Sequence, residues 1–345
     1  MRSKKLVIAV SLSLVVSAGG WLAYRAQDPG PDMTRAAETF LSALSPEQRN
    51  TANIPFEDKT RLDWHFIPKA NRKGLQIKDM DPQQRKAAHA LLQSGLSQLG
   101  YEKATTIMSL EEILKELEKS RTGAPIRDPE RYYFTVFGTP GKKARWGYSV
   151  EGHHLSLNFV VDGDQVMATT PTFFGANPAE VKSDLAVGPK KGTRILKPEE
   201  ELAFKLLAAL SPEQRKTATI AEKAPNDLRG AGEPHTPSTP AVGLPAAKMS
   251  PEQVEMLRAL VKAYCDNVPT AVSQQRLKAI DEAGIDKLTF AWAGADHPGV
   301  GHYYVVEGPT FVIEFVNTQP DSAGNPANHI HSVWRNRAGD FGLSR

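Results

Sequence analysis

Residues 41–54 read LSALSPEQRNTANI and residues 207–220 read LAALSPEQRKTATI. The second stretch begins 166 residues after the first. That spacing is too long for a solenoid period and suits a duplicated half-chain. Further matches keep the order. Met80-Asp81-Pro82-Gln83-Gln84 answers Met249-Ser250-Pro251-Glu252-Gln253, and RWGYSVEGHHLSLNFV at 145–160 answers GHYYVVEGPTFVIEFV at 301–316. Whatever this chain folds into must be buildable twice. Each half reads helix, irregular loop, long helix, further helix, then antiparallel strands. The expectation is an α+β, internally duplicated pseudo-dimer with halves at 34–185 and 195–345. The halves could share one continuous sheet or pack two sheets face to face.

The repeated Ser-Pro-Glu-Gln has a local explanation. Ser45 and Ser211 suit N-caps, Pro46 and Pro212 the first helical position, and Gln48 and Gln214 the reciprocal capping position. Asp81-Pro82 and Ser250-Pro251 repeat the device. Helices are expected over 82–99, 109–120, 198–210, 251–267 and 273–283, with Glu111 and Glu112 in a first turn, where the helix dipole favours acids. Two irregular stretches hold equivalent places, 55–74 with Trp64 and His65, and 225–243 with Asp227, Arg229 and His235. The first reads as an ordered pocket lining and the second as a surface excursion.

The second half carries the densest chemistry. Residues 303–307 and 310–316 read as a hairpin turning at Gly308-Pro309. Alternation puts Phe311, Ile313 and Phe315 on a core face, and Thr310, Val312 and Glu314 on the other. Residues 328–335 read as a third strand. There His329 and His331 point the same way, about 6–7 Å apart, close enough to share one ion. In the first half, the same alternation groups His154, Ser156 and Asn158. The duplication aligns His154 with Thr310, Asn158 with Glu314 and Trp146 with His302. Polar positions diverge while apolar ones persist, which suits one site, or two unlike ones, rather than two identical ones. Residues 171–178 read as a turn-rich rim.

Composition bounds the classes. Net charge is +3 with no basic stripe or zinc-finger spacing, so nucleic acid is not an expected partner. Met1-Arg2-Ser3-Lys4-Lys5 precedes an uncharged apolar run at 6–24, with small residues at Val16-Ser17-Ala18. Residues 1–26 therefore read as a signal peptide or membrane anchor that engages the membrane or export machinery, and the location as extracytoplasmic, periplasmic or secreted. Cys265 is the single cysteine, which excludes an intrachain disulfide and a thiolate zinc site. It reads as a core residue. Nucleophile-elbow, zincin, P-loop and dinucleotide fingerprints are all missing.

EGHHLSLNF, TPTFFGANPAE, GHYYVVEGPTFVIEFVNTQ and NHIHSVWRN together resemble the domain-of-unknown-function family numbered thirty-five hundred, over nearly everything after residue 35. The resemblance implies that His153, His154, Asn158, His302, Glu314, His329, His331, Trp334 and Arg335 lie in the family's most recognisable motifs. It brings no reaction with it. Two departures are visible: Asn336 stands where relatives commonly carry Asp after Trp-Arg, and many relatives continue to a further histidine beyond Asp-Phe-Gly. If that tail completes a site, this chain is altered there.

Two functions follow. The first is an exported metal-dependent enzyme, with His154, His329 and His331 as ligands to zinc or iron. Glu314, Arg335 and His302 then act as catalytic groups, and Asn158, His153 and Trp334 as substrate contacts. In this reading His153 also suits an orienting role behind a ligand, and Arg335 an anion clamp. The second is a metal-free binding module for a sugar or peptide, its groove lined by Trp64, Trp146, Tyr303, Tyr304 and Trp334. Convergence of the histidines favours the first, and alignment of the tryptophans along a groove favours the second.

Overall fold

The computed structural model describes residues 27–141 and 143–343. The apolar run at 6–24, and with it the export expectation, lies outside the described residues. Among the described residues, no helix is long and apolar enough to cross a membrane.

The first part of the chain forms α1 (Gly30–Ala43), α2 (Pro46–Ala52), β1 (Asn53–Ile54), β2 (Leu75–Gln76), α3 (Pro82–Ser94) and α4 (Gln98–Glu118). Strands β3 (Tyr133–Phe137), β4 (Arg145–Gly152), β5 (Leu155–Asp162), β6 (Gln165–Ala168) and β7 (Thr172–Ala176) follow. The second part gives α5 (Lys197–Ala209), α6 (Pro212–Ala218), β8 (Thr219–Ala221), β9 (Leu244–Pro245), α7 (Pro251–Cys265) and α8 (Thr270–Ala283). It closes with β10 (Thr289–Gly294), β11 (His302–Glu307), β12 (Phe311–Asn317) and β13 (Ile330–Asn336). The fold is α+β.

The strands make one continuous mixed sheet, ordered β1-β3-β4-β5-β7-β13-β12-β11-β10-β8. Its centre is the antiparallel pair β7–β13, which sets His331 opposite Gly175 and Trp334 opposite Thr172. Residues 171–178 are thus not a rim. Thr172–Ala176 is a fully buried central strand, because its Phe173 and Phe174 serve opposite faces of the sheet.

Helix starts follow the capping residues. Ser45, Asp81, Ser211 and Ser250 each complete a capping box with the glutamine three residues on. Those glutamines do a second job. Gln48 and Gln84 exchange amide hydrogen bonds of 3.0 and 2.8 Å, and Gln214 and Gln253 exchange two of 2.9 Å, tying consecutive helix starts together. One boundary differs from expectation. The 82–99 helix ends at Ser94, and Ser97 caps a single helix running to Glu118. Glu111 therefore sits in mid-helix and is buried, facing the sheet rather than a helix N-terminus.

The helices cover one face of the sheet, over a core that includes Phe311, Ile313, Phe315 and Cys265. The other face was expected to be polar. It is covered too, by a smaller apolar layer including Trp64, Phe66, Phe173, Leu228, Val312, Val316 and Phe341. Both irregular stretches supply that cover: Leu228 and Ala231 pack into it, while 238–242 remain exposed as the surface-excursion reading expected. Glu314 consequently lies in an interior, with no exposed surface.

Candidate metal centre

Three imidazoles distant in sequence, His154 from mid-chain and His329 and His331 from near its end, meet beside the β7–β13 pair. His331 projects from β13 toward the smaller apolar layer, on the side of Val333 and Arg335. His329 stands just before the strand, and its backbone N–H donates to Asn317 Oδ1 at 3.0 Å. His154 comes from the two-residue turn between β4 and β5. The expected strand alternation through His153 and His154 does not hold, because the strand begins at Leu155. His154 instead has φ of 61°, a left-handed conformation that few non-glycine residues adopt. Two backbone bonds fix it: its N–H donates to Phe66 C=O (2.9 Å) and its C=O accepts from Gly175 N–H (2.8 Å).

Gly175 makes room for the ring. A Cβ there would lie 2.9 Å from His154 Cδ2 and 2.9 Å from the Ile330 carbonyl oxygen. A glycine inside a strand often marks such a close approach.

His154 Nε2 lies 2.8 Å from His329 Nε2, and His331 Nε2 lies 3.2 Å from the same atom. All three rings bring a ligand nitrogen within 4.8 Å of the others. Two nitrogens each bound at about 2.0–2.1 Å to one tetrahedral zinc stand about 3.3 Å apart, near the 2.8 and 3.2 Å spacings about His329.

Proton positions sharpen the point. His331 Nδ1 is 2.9 Å from Asp227 Oδ1. An ionised carboxylate only accepts, so Nδ1 carries the proton, and Nε2 of the neutral ring presents a lone pair. His329 Nε2 faces two imidazole nitrogens at once. A neutral ring nitrogen offers one in-plane proton or one lone pair, and neither complements both neighbours. A cation between the rings turns three facing lone pairs into three favourable contacts. Burial, reinforced by neighbouring imidazoles, holds His154 well below the ordinary histidine range and pushes His329 down to about 3. Both rings are neutral at pH 7, the state that ligates.

Outer partners hold the rings. Asp227 keeps a lowered pKa. Burial opposes its charge, but the hydrogen bonds from His331 and from the Leu228 N–H favour the carboxylate. His153 lies against His154, with ring centroids 3.8 Å apart. Its Nδ1 contacts Glu111 and lies 2.9 Å from Arg127, which also pairs with Glu118 at 2.8 Å. Phe66 stacks on Phe173 at 3.9 Å and sits 4.6 Å from the His331 ring, an apolar wall on that side. His154 and His331 are buried, while His329 retains partial exposure and marks the side open to solvent.

The remaining expected site residues go elsewhere. Glu314 Oε2 accepts from Tyr303 Oη at 2.7 Å and from Arg229 Nε at 3.1 Å. His302 is on the opposite face of the sheet, stacked on Trp292 and 3.2 Å from Glu200. Arg335, fully buried, gives its fork to Asp340 (2.7 Å) and to the carbonyls of Gly230 and Glu233, which occupies the donors a substrate anion would need. Asn158 donates to Pro171 C=O at 3.1 Å. Trp334 packs on Phe311 in the helix-covered core. Asn336 ends β13 in a turn: its side chain accepts from Ala338 N–H at 2.9 Å. The five aromatics of the groove reading are buried in two different layers and do not line one groove.

Asp227, Glu111, Arg127, Phe66 and Gly175 were missed as site residues. Only the glycine inside an apolar strand run carried a local signal.

Residues 26–343 match the family described as "Protein of unknown function (DUF3500)". No match was found among curated proteins, and none among solved structures.

Proposed function

The chain belongs to the DUF3500 family, and we propose that it is a metal-binding protein whose His154, His329 and His331 hold one divalent transition ion, of the zinc or iron class. The observation that carries this is the convergence of three buried or half-buried imidazoles onto one point, with no set of neutral tautomers that satisfies them. Asp227 would orient His331 and raise its basicity, the usual role of a carboxylate behind a ligating histidine.

Three protein ligands leave a coordination position free, as in catalytic rather than structural zinc sites. A metal held this way supplies Lewis acidity and lowers the pKa of bound water. Phe66 and Phe173 wall the flank of His331, and a ligand would approach past His329, the one half-exposed ring of the three. Metal-assisted hydrolysis or oxygen chemistry is thus the class to screen, with the His153–Glu111–Arg127 chain as the nearest ionisable support.

The same reading takes the chain as an exported, duplicated protein. Equal hairpin registers support the duplication: Trp146 faces Val161 and His302 faces Asn317, while Ser149 faces Asn158 and Val305 faces Glu314. So does the pair of glutamine amide exchanges. One half would supply His154 and the other His329 and His331, giving one centre per duplicated chain.

Cobalt(II) titration tests the assignment. One equivalent should develop visible absorption from low-symmetry nitrogen coordination, and His331→Ala should abolish it. A folded parent protein that leaves the cobalt spectrum that of the aqua ion would refute the proposal.

A further inference from the structure

A cavity of about 330 Å³ opens on the helix-covered side of the sheet, framed by β6, the β6–β7 link, α8 and the far end of β13. It is independent of the metal reading, since β13 turns Trp334 toward this cavity and His331 to the opposite face. Its lining includes Thr169, Thr170, Gln275, Arg276, Thr310 and Trp334, and no acidic residue.

Arg276 is the unusual member. Its guanidinium lies over the Trp334 ring, 4.6 Å from the centroid. Nη2 donates to Thr169 Oγ1 at 2.6 Å. Nη1 is buried without a partner, and so is the hydroxyl of Thr170, which lines the same cavity. No carboxylate pairs with it among the described residues. Arginines enclosed as much or more are provided for. Arg335 meets Asp340, Arg127 meets Glu118, and Arg61 donates to two main-chain carbonyls. Arg276 is half-buried, and withdrawing a cation from water without a counter-charge costs stability. Burial pulls the Arg276 pKa down to about 10, which still leaves it charged at pH 7.

We infer that this cavity binds a small organic carboxylate, with the anion between the Arg276 guanidinium and the Thr170 hydroxyl and the apolar body on Trp334 and Val272. The guanidinium fork matches a carboxylate in shape and charge. The volume is at the small end of ligand pockets, which limits the occupant to a compact molecule. The carboxylate would supply the counter-charge that the fold omits.

The test uses the purified protein with acetate, hexanoate and benzoate, each beside its neutral amide, followed by thermal melting and calorimetric titration. At least one carboxylate should bind saturably and raise the melting temperature, while its amide does neither. Arg276→Met should lose at least tenfold in carboxylate affinity. Without ligand, it should melt at or above the parent temperature, because an unpaired charge has been removed; a purely structural arginine would instead leave the variant less stable. Thr170→Val provides a milder variant, expected to weaken binding about tenfold through loss of one bond to a charged group. The inference is overturned if no carboxylate binds saturably, if amides bind equally well, or if Arg276→Met binds like the parent.

Discussion

Gly175→Ala is the smallest change that should disturb the proposed centre. The added methyl would lie 2.9 Å from His154 Cδ2 and 2.9 Å from the carbonyl oxygen of Ile330. Both separations are below any ordinary carbon contact, so something must move. If the imidazole yields, His154 Nε2 leaves its 2.8 Å position beside His329. If the main chain yields, the β7–β13 pair opens at the register that sets His331 opposite residue 175. Either response displaces a ligand. Overpacking of this kind destabilises by about 1–3 kcal/mol, and at about 1.4 kcal/mol per tenfold the same strain corresponds to roughly 5–150-fold in an equilibrium constant. Metal affinity should therefore fall at least fivefold, measured by competition with a chromogenic chelator, and the denaturation midpoint should fall in the same preparation. Gly175→Ala binding metal as tightly as the parent, with an unchanged midpoint, would refute the steric argument.

Four further outcomes follow. Asp227→Ala should weaken metal binding by about 10–100-fold, read by the same competition, because the His331 tautomer is no longer held. Phe66→Ala removes a fully buried ring stacked on Phe173 and should destabilise by about 3–5 kcal/mol in chemical denaturation. The Cys265 thiol, pushed up to about 11 by burial, should resist thiol reagents at pH 8 in the native protein and react after denaturation. Metal-free protein should lose stability on acidification below about pH 6.5, since the unfolded chain then takes up protons that buried His154 and His329 refuse until far lower pH. A melting temperature that rises between pH 6.5 and pH 4 would contradict this.

Much of the fold was legible because local chemistry recurs. Capping boxes at Ser45, Asp81, Ser211 and Ser250 announce helix starts, and alternation in 303–316 gives a hairpin whose core face holds Phe311, Ile313 and Phe315. The pair His329 and His331 was visible for the same reason, and the structure brings His154, grouped with them from the sequence, beside both. The route to His154 was wrong, however. Its ring reaches the others from a left-handed turn residue, and strand periodicity says nothing about a turn. Glu314 and Arg335 looked functional because charged groups on a supposedly exposed strand face invite that reading. Two loops bury that face and bring partners distant in sequence, Arg229 to Glu314 and the carbonyls of Gly230 and Glu233 to Arg335, whose charge is met by Asp340 five residues on. Long-range cover of this kind leaves no periodic trace. The same holds for Asp227, whose role comes from a loop folding back some hundred residues before His331, and for Glu111, which a missed helix boundary placed on the wrong turn.

The central claim is a metal ion held by three histidines, and elemental analysis tests it most directly. The purified protein, loaded with zinc or iron and freed of excess by gel filtration, should carry one ion per chain. The His329→Ala/His331→Ala double variant, folded by circular dichroism, should carry none. Absence of stoichiometric metal from the parent after loading, or equal metal in the double variant, would contradict the account.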